Sequence, residues 1–415
     1  MTVAQPELKN IVIVGASAAG HTLANSLAPS LPPTHRIVLI ERSEFVVHMP
    51  TIVRALVVPG WEDKNLLARI TQDTVFPSGS RHVVLTNNVV ALGPTSLTLE
   101  RAFEGSTELA FDKVVLATGA SQPPPMRPVT GSSMDEYKSL LRKMQAEIKA
   151  ASSIVVVGGG TVGVEVAGEI NALYPEKQLT IVHGQSGLLH PGEKSNATPD
   201  PRNYVPQPTA PRVSTSLESQ LHKRGVKLVF DDRVASGPNG APLVPGPLPK
   251  VESLPLVSGG SVEADFVFMS TGNIPNSDLI KAADPSALTP SGHIAVDAHF
   301  RVLSTTLKEA YALGDVASVP AWKTLVSAAA EGTALAKILA AEIKDKVPSE
   351  YQPAKFDLSS IVTLGPPGGA GVLVLPWFGE VGAPGMVVGM KNGDFFAGKS
   401  FYARFKGADK VPTTL

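Results

Sequence analysis

The chain is 415 residues long, 43% hydrophobic and 18% charged, with a formal net charge of −1 and no cysteine. That length predicts two or three domains rather than one core. The even charge excludes the electrostatic footprint of a nucleic-acid-binding protein, and the missing cysteines exclude disulfides, thiolate metal sites and a C-x-x-C redox pair.

The opening MTVAQPELKN has neither the basic nor the apolar stretch of a signal peptide, and Thr2 leaves no glycine for N-myristoylation. A strand at Ile11–Val14, a helix at Ala18–Leu27 and a strand at Arg36–Glu41 follow as a βαβ unit. Gly15, Ser17 and Gly20 occupy its first turn in a G-x-S-x-x-G spacing, with Ala18 and Ala19 before the last glycine. A turn of this kind, after a strand and opening a helix, lets backbone N–H groups approach a pyrophosphate. Serine at the second position is small and adds a hydroxyl donor, so the turn survives it. Glu41, with Arg42 beside it, ends the second strand where a carboxylate accepts hydrogen bonds from an adenosine ribose; a surface acid at a strand end is the alternative. His48 and Arg54 in HMPTIVRALV are weaker candidates for the region assigned to Lys323 below.

Residues 82–116 turn and alternate as strands and end in FDKVVLATGA, where the small Ala117, Thr118 and Gly119 let the chain pass close to a ligand. The Pro-rich stretch 121–131 marks a boundary, and Ser139–Ala151 predicts a helix. A second fingerprint follows in SIVVVGGGTVGVEVAGEI: Gly158, Gly160 and Gly163 in a full G-x-G-x-x-G, enclosing Thr161 and Val162. The strand after it, QLTIVHG, ends in His183 and not in the acid of an NAD-preferring site, so no carboxylate repels a 2′-phosphate and NADPH is permitted beside NADH. Two such turns imply two dinucleotides, FAD and NAD(P)H, with electrons passing between them.

Residues 185–211 and 236–260 lack periodicity and read as long loops, separated by a helix at Ser216–Arg224 and a strand at Val226–Phe230. VEADFVFMSTGNIPN is a strand running into Thr271 and Gly272, and EAYALGD a strand ending in Gly314 and Asp315. The Asp315 carboxylate suits ribityl hydroxyls; a turn or cap aspartate is the alternative. Ser327–Ile343 follows as a helix. In 355–405, SSIVTLG, GVLVLPW, GMVVGM and DFFAGKSF read as strands of a small α+β domain. Gly371–Met390 is too broken by glycine and proline for a membrane span and reads as two buried strands and a turn.

The ordered set (GxSxxG, Glu41, ATG at 117–119, GxGxxG at 158–163, TGNIPN at 271–276, ALGD at 312–315) resembles the flavoproteins related to glutathione reductase, which carry two dinucleotide-binding domains. Within them, the absence of cysteine, ALGDVASVPAWKT with Lys323, and the short C-terminal domain resemble the apoptosis-inducing-factor-like, ferroptosis-suppressor-like NAD(P)H oxidoreductases. The resemblance implies an α/β fold with two Rossmann-like domains. FAD would lie on residues 1–125 and 265–345, NAD(P)H on an inserted 126–264, and 346–415 would form the C-terminal α+β domain. It further implies hydride passing from NAD(P)H to FAD and electrons leaving for a quinone-type acceptor; a reductase of a small electron-transfer protein, or a redox sensor acting through partner binding, is the alternative. Glu165 would face the nicotinamide, against a first-turn acid favoured by the helix dipole. Lys323 would face the flavin pyrimidine ring, against a lysine in water. No metal and no nucleic acid are expected. A cytoplasmic place is, with peripheral contact to mitochondrial or other membranes left open.

Overall fold

The computed structural model describes residues 8–64, 66–190, 201–203, 209–354, 359–375 and 377–396. Its first half grows from near-continuous apolar runs, which suit strands covered on both faces. β1 (Lys9–Val14), α1 (Ala18–Leu27), β2 (His35–Glu41), α2 (Met49–Ala55), β3 (Val83–Thr86) and β4 (Lys113–Leu116) come in turn. β1 runs parallel to β2 and to β4, with Val12 opposite both Val38 and Val114. An antiparallel trio spanning residues 89–110 precedes β4.

The chain then builds a second sheet. α3 (Met134–Ala150), β5 (Ser153–Val157), α4 (Thr161–Leu173), β6 (Gln178–Val182), α5 (Pro211–Lys223), β7 (Lys227–Val229), β8 (Gly246–Pro255) and β9 (Ser261–Met269) give the order β7-β6-β5-β9-β8. It returns through β10 (Ala310–Ala312), which completes the first sheet as β10-β4-β1-β2-β3, and α6 (Leu325–Glu342), which packs on α1. The two crossings lie side by side: Ala120–Ser121 pairs antiparallel with Ile274–Pro275, and Asn276 donates to Gly119 O at 3.0 Å. Last come the antiparallel β11 (Ser360–Thr363), β12 (Gly369–Leu375) and β13 (Gly379–Gly382), and α7 (Gly385–Asp394). The fold is mixed α/β, with one Rossmann-like sheet inserted into the chain of another.

Several sequence expectations need correction. The helix expected from Ser139 starts at Met134, because Ser133 and Glu136 form a reciprocal capping box. The helix expected from Ser216 starts at Pro211, whose missing N–H costs nothing in a first turn. Residues 236–260 are not structureless: β8 pairs with β9 as an edge strand, the one place where Pro247, Pro249 and Pro255 lose no ladder bond. GMVVGM is helical, not extended. Val388 and Asn392, four residues apart, face inward from α7, while Met386 and Met390 stay 76% and 56% exposed. β13 is no buried strand either; its burial is partial at best. The loop expected at 185–211 and the run DFFAGKSF fall partly outside the described residues.

Candidate active site at two glycine turns

The two fingerprints adopt one geometry. Gly15 N donates to Ile40 O at 2.8 Å and Gly158 N to Val182 O at 2.8 Å. Their φ values are 103° and 109°, a region open to glycine. A Cβ on Gly15 would lie 2.3 Å from Ala117 O, and one on Gly158 2.8 Å from Ser270 O. The third glycines press the helix onto the turn: a Cβ on Gly20 or Gly163 would lie 1.9 or 2.0 Å from the carbonyl oxygen of Gly15 or Gly158. The space a Cβ on Gly160 would enter is open, and the Ser17 hydroxyl makes no capping bond. Each turn therefore aims the unpaired N–H groups of a helix start outward, the arrangement that binds a diphosphate.

The strand-end side chains match as well. Ala16 N donates to Glu41 Oε2 at 2.8 Å, and Gly159 N to His183 Nδ1 at 3.1 Å. Ser43 N adds a second bond to Glu41, at 3.2 Å. Burial raises the Glu41 pKa, opposed by these backbone donors. Burial lowers that of His183, so the ring is neutral and carries its proton on Nε2. Arg42 is exposed beside Glu41. Thr271 meets the second turn, its Cγ2 3.2 Å from the Cβ that Gly158 lacks. Thr118 bonds across the crossing, its Oγ1 donating to Asn276 O at 2.7 Å.

Gly314 and Asp315 are brought beside Ala117–Gly119 by the bond from Leu313 N to Leu116 O, 3.1 Å. Gly314 N donates to buried Glu331 at 2.6 Å. Lys323 does not point into water. Its Nζ donates to the carbonyls of Gly314, Ala317 and Val319 at 3.2, 2.7 and 3.3 Å. Burial lowers its pKa, against the pull of Glu331 and Asp315. Arg127 reaches the same aspartate, Nη2 3.8 Å from Oδ2. Arg127 Nε, Trp322 Nε1 and His183 Nε2 are buried donors without a partner among the described residues. Orphaned donors around two outward-facing helix starts fit ligands rich in acceptor oxygens.

α4 carries two acids on its buried face. Glu165 accepts from Lys391 Nζ at 2.7 Å and from Thr363 N at 3.1 Å. Glu169 takes Arg54 in a bidentate pair, 2.9 and 2.8 Å. The Arg54 guanidinium lies over the Trp61 and Phe395 rings at 4.9 and 4.7 Å, and its Nη1 donates to Asn392 O. Arg54 is thus committed to joining α2, α4 and α7 rather than to a cofactor. His48 is buried nearby, its ring bonded to Thr51. Against this clamp lies a cavity of about 820 Å³, walled by Trp61, Pro366, Pro367, Gly385, Gly389 and Gly393 among others.

The sequence profile of the family described as pyridine nucleotide-disulphide oxidoreductase matches residues 9–332. The chain belongs to that family. This pyridine nucleotide-disulphide oxidoreductase is 26% identical to ferroptosis suppressor protein 1 of Homo sapiens, over 94% of this chain and 95% of that protein. It is also 26% identical to apoptosis-inducing factor homolog A of Dictyostelium discoideum, over 80% of this chain and 77% of that one. Among solved structures it is similar to the sulfide:quinone oxidoreductase of Aquifex aeolicus, with a TM-score of 0.68 at 14% identity, covering 98% and 93% of the two chains. A ferredoxin reductase of Rhodopseudomonas palustris gives 0.62 at 18%, covering 89% and 83%. The cofactors of this oxidoreductase are FAD and NAD(P)H. Among the described residues no helix is long and apolar enough to cross a membrane, and no acidic or histidine cluster suits a metal.

For this oxidoreductase the sequence reading missed Arg127, Glu169, Glu331 and Lys391. Glu169 had a signal: it falls four residues after Glu165 in the otherwise apolar TVGVEVAGEINAL, and two acids on one face of such a helix call for buried cations. Arg127 was hidden in a Pro-rich boundary, and Lys391 in the turn between two runs read as strands.

Proposed function

We propose that this oxidoreductase takes electrons from NAD(P)H and delivers them to a quinone-type acceptor. The observation that carries the reading is the cavity beside α4, whose apolar walls and glycine-lined side suit a flat, apolar ring. With no cysteine in the chain, no protein disulfide can relay the electrons, so they leave for an external acceptor directly.

Residues 1–125 and 265–345 hold FAD in this reading, and 126–264 hold NAD(P)H. The helix start at Ser17–Gly20 receives the FAD diphosphate, Glu41 the ribose, and Asp315 with Arg127 the ribityl side. The start at Gly160–Gly163 receives the NAD(P)H diphosphate, and His183 Nε2 donates to its ribose. The flavin, when bound, accepts two electrons from the nicotinamide and passes them on. The protein supplies position and charge. Lys323 fixes the 314–319 segment through three carbonyls and puts a positive charge where negative charge develops on the reduced cofactor. Glu165, neutralised by Lys391, lines the nicotinamide side without adding net charge.

Steady-state oxidation of NADH and NADPH with menadione, ubiquinone and an artificial dye tests the acceptor. Gly389→Leu projects into the cavity, where a Cβ meets nothing within 4 Å. It should lower quinone turnover by about tenfold or more and leave dye reduction intact. The substitution favours the helix, so a loss is not unfolding. Reduction of a small electron-transfer protein with no quinone turnover would reverse the reading. Lys323→Ala should lower the flavin midpoint potential, a preorganised charge being worth about 2–4 kcal/mol, whereas Lys323→Arg keeps most of it. A redox titration giving one potential for all three proteins removes Lys323 from the flavin site.

A further inference from the structure

The chain after β7 folds back over the end of β6. His183 N donates to Val229 O at 2.8 Å, Asp231 N to Gln185 O at 3.0 Å, and Asp232 N to His183 O at 3.3 Å. These bonds set residues 231–233 against 183–185, the strand end where a dinucleotide fold places the adenosine ribose. Arg233 then lies across Gly184. A Cβ on Gly184 would be 3.0 Å from Arg233 Nε and 3.7 Å from Nη2, so the guanidinium packs directly on the Gly184 backbone. The root of Arg233 is fixed: its N donates to Asp232 Oδ1 at 2.8 Å, and its O accepts from Val257 N at 2.9 Å. Its head is exposed and, among the described residues, makes no hydrogen bond or ion pair.

The neighbouring acids do not claim it. The Asp232 carboxylate is taken up by Ser258 Oγ and N, at 2.5 and 3.1 Å, besides Arg233 N. Asp231 is exposed to solvent. His183, with burial lowering its pKa, brings no negative charge. A fixed-root arginine with a free fork, beside a strand end that lacks the ribose-binding acid, suits a phosphate dianion better than a hydroxyl.

We propose that Arg233 recognises the 2′-phosphate of NADPH, so that the second turn discriminates NADPH from NADH. This rests on the NAD(P)H site of the proposed function but not on its acceptor.

The test is calorimetric titration of the flavin-loaded full chain with NADP⁺, NAD⁺, 2′,5′-ADP and 5′-AMP, with no acceptor present. Arg233→Ala should weaken NADP⁺ and 2′,5′-ADP by about 10–100-fold, the range for hydrogen bonds to charged groups, and leave NAD⁺ and 5′-AMP within about twofold. Arg233→Lys should keep part of the preference, because a point charge replaces the fork. Asp231→Asn should strengthen 2′,5′-ADP. The wild-type preference should shrink as salt rises, which a merely structural arginine would not produce. An unchanged NADP⁺ to NAD⁺ ratio in Arg233→Ala, or an equal loss of both, overturns the proposal. A quinone assay that fails while these ratios hold would strike the acceptor reading alone.

Discussion

Arg54→Ala should destabilise the protein by about 3–5 kcal/mol, the cost of breaking a buried ion pair from one side. The side chains of Arg54 and Glu169 are only 4% and 1% exposed, and the pair is bidentate. Removing the arginine also uncovers the faces of Trp61 and Phe395 and frees the Asn392 carbonyl. The larger part of the cost is the carboxylate left behind. Burial already raises the Glu169 pKa, with Arg54 holding it down. Without Arg54 it rises further, above its value in the unfolded chain. The variant's deficit should therefore shrink as pH falls and Glu169 takes up a proton. Arg54→Met with Glu169→Leu replaces both charges by apolar groups and should recover most of the loss. Denaturant midpoints of the three proteins across pH check this. A double variant no better than the single would assign the cost to packing and not to charge.

Gly15→Ala and Gly158→Ala should separate the two cofactors. Each puts a side chain at positive φ, worth about 1–2 kcal/mol, and drives a Cβ into backbone at 2.3 or 2.8 Å. Neither neighbour is a side chain that can swing away: Ala117 O and Ser270 O are backbone atoms of the residues that follow β4 and β9. Gly15→Ala should yield protein that loses its flavin on gel filtration. Gly158→Ala should keep the flavin colour and lose reduction by NAD(P)H, while dithionite still bleaches it. Absorbance spectra before and after each reductant measure both. A Gly158→Ala protein reduced at the wild-type rate would place the nucleotide elsewhere.

The two turns were legible because everything that makes them lies within about thirty residues: a β-branched strand, the glycines, and a strand ending in Glu41 or His183. Local chemistry specifies such units. What was not legible was non-local. Nothing near Glu165 announces Lys391, since the pair closes across 226 residues. Arg54 looked like a cofactor residue because its partner Glu169 lies 115 residues away. The edge strand β8 was hidden by prolines that argue against a central strand but not an edge. α7 was hidden by glycines and valines, whose strand-like composition yields to the inward spacing of Val388 and Asn392. Arg233 carried no sequence signal, because its place over Gly184 depends on how β7 leaves the sheet.

The separations of the two ion pairs on α4 also bear on how the chain is made. As the ribosome releases this helix, the cation for Glu169 already exists, 115 residues upstream. The cation for Glu165 does not; it emerges 226 residues later, on the last described helix. Until then α4 holds one acid without its cation, and closing so long a loop is slow. Nascent protein should thus reach its final protease resistance only in a late step, after α7 has been synthesised. A chain stopped before α7 keeps that carboxylate unmatched by Lys391 and should be cleaved faster than the full chain.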